Sequence, residues 1–344
     1  MKKNTAGRTA IVMSGGGAKG AFELGAADYL IQDKGEDPEV FVGVSTGNLN
    51  AAMLAQGRGR DGLREQLDAL KDIWFDIEGN DDVYHARFGG VLGLLFKADS
   101  VYSNKPLWKL IRQHVDPEKL KNSGRLLRIG VVGLRKARYS DIRKDHPRIR
   151  EMIRASAAIP VLFNPVGVDN ERYVDGGVMN VTPLRAAFDA LAELRSREGN
   201  NSDVRDTIYV ILASPTELPE ITDEADLNSG IEIGLRALEI AVNEIYRNDL
   251  SLAVAINETV KFYQRVSEQL GDNLPDGFPF ADHRYANLVL VRPDIFHMGS
   301  LEFNPAKIRQ AFDDGRARMK QAIADAEAHG RTNITPEILK RLIA

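Results

Sequence analysis

Val40-Phe41-Val42-Gly43-Val44-Ser45-Thr46-Gly47 is a short apolar run, Val40 to Val42, that breaks into a G-x-S-x-G pentapeptide. A helical stretch of small residues, Leu49 to Ala55, follows it. Strand, tight turn and helix in that order are the setting of a nucleophile elbow, where a serine hydroxyl is displayed at the turn. Gly43 and Gly47, two residues to either side, let strand and helix approach without Cβ clashes. The hydroxyl then sits near a helix N-terminus, whose N–H groups and dipole favour developing negative charge. The pentapeptide alone can also be an ordinary tight strand-to-helix turn, so its meaning depends on its neighbours.

Upstream, the apolar strand Thr9 to Met13 runs into Gly15-Gly16-Gly17-Ala18-Lys19-Gly20. A helical stretch, Lys19 to Ile31, follows, with Phe22, Ala26, Tyr29 and Leu30 on one face. Consecutive glycines expose several backbone N–H groups in one direction, as an anion or oxyanion requires. The same letters satisfy G-x-G-x-x-G at Gly15, Gly17 and Gly20. A dinucleotide site would also need an acid at the end of the second strand, where Gly43 and a serine turn stand instead. No Gly-Lys-Ser or Gly-Lys-Thr supports a Walker loop. A glycine loop and an elbow on adjacent strand ends fit one task better, donors facing a nucleophile.

Further strands are expected at Leu126 to Val132, Ile208 to Ala213 and Leu288 to Val291, the last closed by Pro293. Their almost continuous apolar character suits central parallel strands. The fold class is therefore three-layer α/β/α with a mostly parallel central sheet. One domain, 1–327, is the economical reading, with a helical insertion over about 57–124 packed on one side and a helical tail at 328–344. Within the insertion, Gly89 to Phe96 reads as a glycine-rich apolar loop, either an entry for acyl chains or ordinary core. A long helix over about 231–266 aligns Ile231, Leu235, Leu238, Val242, Ile245, Leu252, Ile256 and Val260 on one stripe. Asp249 interrupts that stripe, as a paired carboxylate or as a second choice for a catalytic acid. A final helix from Pro305 to about Glu327 turns Ile308, Phe312, Met319 and Ile323 inward.

Composition narrows the chemistry. The 344 residues are 43% hydrophobic and 27% charged, with 49 acids against 45 bases and a net charge of −4, which leaves no footprint for nucleic acid. The absence of cysteine excludes disulfides, zinc–thiolate sites and thiol catalysis. The apolar run behind the basic N-terminus is too short for a secretory signal, and no run approaches the ~20 residues of a membrane span. A cytoplasmic protein with peripheral membrane contact is expected. Arg125 to Arg154 carries ten Lys/Arg against three acids, and Thr216 to Leu227 carries five acids and no base. The basic run is either a headgroup-binding patch or a solvated face with partners elsewhere.

A serine hydroxyl needs a base. Of the six histidines, His85, His114, His146, His283, His297 and His329, none occupies a glycine-flanked strand-end loop of the kind that presents a catalytic side chain. Tyr173-Val174-Asp175-Gly176-Gly177 has that form, with two glycines leaving the carboxylate uncrowded, although aspartate before Gly-Gly is equally common turn chemistry.

Together, Gly15 to Gly20, Gly43 to Gly47, Ala155-Ser156-Ala157-Ala158-Ile159-Pro160 with Phe163 and Pro165, and Asp175-Gly176-Gly177 leading to Asn180 and Pro183 resemble the patatin-like phospholipases. Phe303-Asn304-Pro305 and Gly315 look like the end of bacterial members. The resemblance implies a serine–aspartate dyad without histidine. Ser45 would be the nucleophile, Asp175 the base, and Gly15, Gly16 and Gly17 the oxyanion hole. Gly43, Gly47, Gly20, Gly176 and Gly177 would support the two turns, and Lys19, where the family has Arg or Lys, would brace the glycine loop. Asn48 departs from the small residue that usually follows the elbow, which bears on pocket shape. The implied activity is cleavage of fatty-acyl esters of lipids or phospholipids through an acyl-enzyme, with no metal and no organic cofactor. A Ser-His-Asp esterase and a non-catalytic lipid- or protein-binding module are the alternatives, and the oligomeric state stays open.

Overall fold

The computed structural model describes residues 7–87, 100–198, 205–218, 220–221, 230–270, 284–330 and 332–334. In chain order the elements begin β1 (Thr9–Met13), α1 (Gly20–Asp28, continuing as a wider π turn to Asp33), β2 (Val40–Gly43) and α2 (Ser45–Ala55). The insertion holds α3 (Gly59–Phe75), a small hairpin of β3 (His85–Ala86) and β4 (Tyr102–Ser103), α4 (Lys105–His114) and α5 (Pro117–Asn122). Then come β5 (Leu126–Gly133), β6 (Arg138–Arg143), α6 (Ile149–Ser156), β7 (Val166–Val168) and β8 (Glu171–Asp175). The chain continues through α7 (Leu184–Glu198), β9 (Thr207–Ile211), α8 (Gly230–Leu270), β10 (Asn287–Val291) and α9 (Pro305–Ala328).

The main sheet has the order β10-β9-β1-β2-β5-β8-β7, with β6 also paired to β5. Its first five strands are parallel and are the five that continuous apolarity predicts. Side chains alternate between two cores. Ile11, Met13 and Phe41 face α1, α2, α3 and α9, while Ala10, Val12, Val40 and Val42 face α7 and α8. Helices therefore cover both faces, giving the three layers. Burying a leucine or phenylalanine of this kind stabilises the fold by about 1.5–3 kcal/mol. Leu63, Leu67, Leu70 and Trp74 of α3 join the first core. Gly89 to Phe96 lies outside the described residues. Among the described residues no helix is long and apolar enough to cross a membrane.

The antiparallel strands decide where the site lies. β2 pairs with β5 only as far as Gly43 opposite Ile129, and β6 follows the length of β5 from Arg128 to Gly133. β8 pairs with Val131 to Gly133, so it takes the side of β5 that β2 leaves open and runs head-on toward the end of β2. Asp175, opposite Val131, is thereby delivered beside the turn that follows Gly43. The sequence reading placed no strands here because they are short, and β6 buries only Ile142.

One further reading is corrected. Val242, Ile245 and Val260 of the expected stripe do face the core that α8 covers, joined by Tyr246, Leu250, Val254 and Asn257, whereas Leu252 is 63% exposed. Spacings of three and four residues join the buried positions, and Leu252, two residues from Leu250 and Val254, falls on the opposite face. Of the expected helical tail, residues 335–344 lie outside the described residues; Thr332 and Asn333 before them run along β10 and bond Leu288 O and both polar groups of Leu290. The final helix matches its expected span. Asn304 Oδ1 caps it by accepting from Ala306 and Lys307 N–H at 3.0 and 3.1 Å. It crosses α1 at glycines, because a Cβ on Gly315 would lie 2.1 Å from Phe22 O.

Candidate active site

The elbow is built by close backbone contact. A Cβ on Gly43 would lie 2.4 Å from Gly47 O, and one on Gly47 would lie 2.3 Å from Ser14 O. Between them Ser45 adopts φ +53°, a left-handed conformation that non-glycine residues rarely take. Its N–H donates to Ser156 Oγ at 3.2 Å. Asn48 Nδ2 donates to Ser45 O at 2.7 Å and to Ile153 O at 3.1 Å, tying the elbow to α6. Asn48 lines neither cavity at the site, so its departure from a small residue braces the turn rather than reshaping the pocket.

The glycine loop faces this turn. Gly17 has φ +60°, and a Cβ there would lie 1.9 Å from Ser300 O. The N–H groups of Gly15, Gly16 and Gly17 have no acceptor among the described residues, while Ala18 N–H is taken by Ser300 O at 2.8 Å. Gly20 meets the elbow helix, since its Cβ would lie 2.2 Å from Thr46 Cγ2. Lys19 is buried, with Nζ 3.9 Å from Glu239 Oε1 and 4.7 Å from the Phe296 ring centre. Burial lowers its pKa, which Glu239 opposes. Replacing Gly17 by alanine is expected to lower stability by about 1–3 kcal/mol, measurable by denaturant unfolding, because both its φ and its contact with Ser300 forbid a side chain.

Asp175 is 4% exposed. Its Oδ1 accepts from Gly177 N–H at 2.8 Å, and Oδ2 is buried with no hydrogen-bond partner of good geometry. Burial pushes the carboxyl up to about 7, against the opposing effects of Gly177 N–H and the nearby Ser45 hydroxyl. Gly176 permits the approach, since a Cβ there would lie 2.5 Å from Gly130 O and 2.7 Å from Val44 Cγ2.

Two cavities meet at Ser45. One, of about 100 Å³, is almost wholly apolar, with Leu49, Met53, Leu70, Trp74, Ile111 and Phe163 in its wall. The other, of about 500 Å³, is lined by Gly15 to Gly17, Lys19, Asp175, Gly177 and residues of α8 including Arg236, Glu239 and Tyr246.

Asp249 goes elsewhere. Its Oδ2 accepts from Val181 and Thr182 N–H at 2.7 and 3.1 Å, fixing the chain just beyond Asp175, and burial raises its pKa to about 6 against those two bonds. Among the described residues no histidine is a hydrogen-bond partner of Ser45 or Asp175. His297 Nε2 pairs with Asp314 at 2.9 Å, His85 with Asp81 at 3.3 Å, and His146 Nδ1 accepts from Arg148 N–H. His283 lies outside the described residues. Sequence reasoning missed the bracing role of Ser156, and also Glu23, whose fully buried carboxyl lies 3.4 Å from Ser14 Oγ and is pushed well up by burial. No periodicity signals such contacts. No group of three or more potential metal-ligating side chains occurs among the described residues.

A protein of Invertebrate iridescent virus 6 named "Probable lipid hydrolase 463L" is 25% identical over 188 residues, which are 52% of this chain and 62% of that protein. The structure of VipD from Legionella pneumophila aligns with 92% of this chain and 66% of its own, at 15% identity and a TM-score of 0.39. The chain thus spans less than two thirds of either. The profile described as patatin-like phospholipase matches residues 11–188, more than half of the chain and every glycine motif at the site, and the chain belongs to that family.

Proposed function

We propose that the protein is a lipid acyl hydrolase, a phospholipase A-type carboxylic ester hydrolase working through a Ser45–Asp175 dyad. The observation that carries the reading is a buried carboxylate with one unpartnered oxygen beside a serine held in a left-handed elbow, under a loop of unpartnered N–H groups. Oδ2 of Asp175 takes the hydroxyl proton as Ser45 Oγ attacks the ester carbonyl carbon. The carbonyl oxygen becomes an oxyanion held by the N–H groups of Gly15 to Gly17. Collapse breaks the bond to the alcohol, which leaves with the proton from Asp175. Water then attacks the acyl-enzyme, giving its proton to Asp175, and the fatty acid departs as that proton returns to Ser45. The apolar cavity suits the acyl chain and the wider one the alcohol and its headgroup.

A fluorophosphonate probe is expected to form an adduct on Ser45, and a fatty-acyl ester to be turned over at a rate that rises with pH through about 7. The direction follows from the base, which is competent only when deprotonated. Protein that neither labels nor releases acid from any member of a lipid panel would be a binding module instead.

A further inference from the structure

Among the described residues eight large apolar side chains stand exposed; four of them lie on segments that line the wide cavity, and a fifth, Ile295, lies beside a ring that packs on a lining lysine. Val161 stands between the lining residues Pro160 and Leu162, Met179 follows lining Val178, and Ile240 follows lining Glu239. Ile295 precedes Phe296, whose ring lies under lining Lys19. Ile233 falls two turns before Ile240 on the same face of α8. Soluble surfaces carry scattered apolar residues, but a cluster around one opening marks an interaction site.

Val161 sharpens the point. It is β-branched, has φ +70° and is 56% exposed. The conformation is unfavourable for such a residue and persists only where surrounding contacts impose it. Those contacts are backbone bonds, Val101 N–H to Val161 O at 3.0 Å and Tyr102 N–H to Leu162 O at 2.9 Å. The fold thus holds a strained valine with most of its side chain in water, where burial gives no return.

Charge selects the partner. The cavity wall carries Lys19 and Arg236 beside Glu239, and exposed Glu217 and Glu220 flank the lining residues Leu218 and Ile221. The basic run adds nothing to the cavity wall, since none of its residues lines it, and Arg125, Arg128 and Arg148 are taken up by Asp37, Glu193 and Glu151. Both signs at the rim, on a chain of net charge −4, complement a headgroup that itself carries both signs and gain little from an anionic surface.

We propose that this rim docks on a zwitterionic lipid surface, with Val161, Met179, Ile240 and Ile295 entering the headgroup layer and the cavity mouth facing the lipid. The proposal rests on the lipid-hydrolase reading of the same site.

The test uses the full chain with phosphatidylcholine vesicles, binding read by cosedimentation, and separately the turnover of a water-soluble short-chain ester. The triple variant Val161→Ser, Met179→Ser, Ile240→Ser is expected to bind vesicles about tenfold more weakly, because interfacial affinity follows buried apolar area. Its rate on vesicles should fall in step, while soluble-ester turnover stays within about twofold. Val161→Gly, which relieves strain while removing the anchor, should also weaken binding, and guards against a misfolded triple variant. Ser45→Ala should bind like the parent. Replacing about a third of the lipid by an anionic one, or raising the salt concentration, should change affinity by less than about threefold. A parent that does not sediment with vesicles, variants that bind as well as the parent, or binding that requires anionic lipid and vanishes in salt would each overturn the docking face. Soluble-ester turnover without vesicle binding sinks only the docking face, and vesicle binding without any turnover sinks only the hydrolase reading.

Discussion

Asp175→Asn is expected to lower kcat on a chromogenic fatty-acyl ester by about three to five orders of magnitude and yet leave a protein more stable than its parent at pH 8. The first effect follows from removing the proton acceptor. The second follows from burial, which sets the folded carboxyl at about 7 against an ordinary value of 3.8. A carboxyl with a raised folded pKa favours the fold fully only below the unfolded value, and that contribution is lost as pH rises toward 7. Above pH 7 the parent carries the whole penalty of a desolvated carboxylate, at most about 4 kcal/mol at ~1.36 kcal/mol per unit. An asparagine carries none of it and still accepts from Gly177 N–H. Urea unfolding at pH 4 and pH 8 should therefore show a gain for the variant only at the higher pH. Equal stabilities at pH 8 would mean that the carboxylate is solvated and no better a base than any surface aspartate. Single replacements of His85, His114, His146, His283, His297 and His329 should each cost less than about tenfold in kcat. One histidine whose loss costs several orders, with Asp175 dispensable, would move the chemistry to a Ser-His-Asp triad.

Ser45→Ala is expected to lose about five orders of magnitude in kcat, and the Ser45→Ala, Asp175→Asn double variant to lose no more, because residues acting as a unit are not additive. Stability separates this from a folding defect. Alanine inherits the φ of +53°, so its unfolding midpoint should stay near that of the parent. Ser45→Gly should be equally inactive and more stable by about 1 kcal/mol, since glycine takes the left-handed region without strain. Substantial turnover by either variant would remove Ser45 from its role.

The parallel half of the fold was legible because strands buried on both faces are almost continuously apolar, as Ala10 to Met13 and, apart from Arg128, Leu126 to Gly133 are. The elbow and the glycine loop were legible because close backbone approach admits only glycine at Gly17, Gly43 and Gly47. The proximity of Ser45 and Asp175 was not legible from the residues and came only with the family resemblance, because it depends on a register between β5 and β8 that no local pattern encodes. The stripe on α8 misled for a different reason. Aliphatic residues such as Leu252 and Ile240 stand outward there, and a hydrophobicity count does not separate a core row from a lipid-facing or solvent-facing one. Asp249, a carboxylate among aliphatics, read as either a paired structural group or a second catalytic acid, and its two bonds to backbone N–H groups fit the structural reading.

The sharing of one side of β5 by β2 and β8 also bears on the order in which the molecule is assembled. A chain emerging as far as α2 holds the serine, its turn and the glycine loop, all local in sequence. The carboxylate arrives only after β5 has docked and β8 has closed a long loop back onto it, a step that non-local pairing makes slow. The wall contributed by α8 comes later still. A half-made or half-refolded chain therefore carries Ser45 without Asp175, and on the proposed dyad it would hydrolyse nothing until the fold is complete.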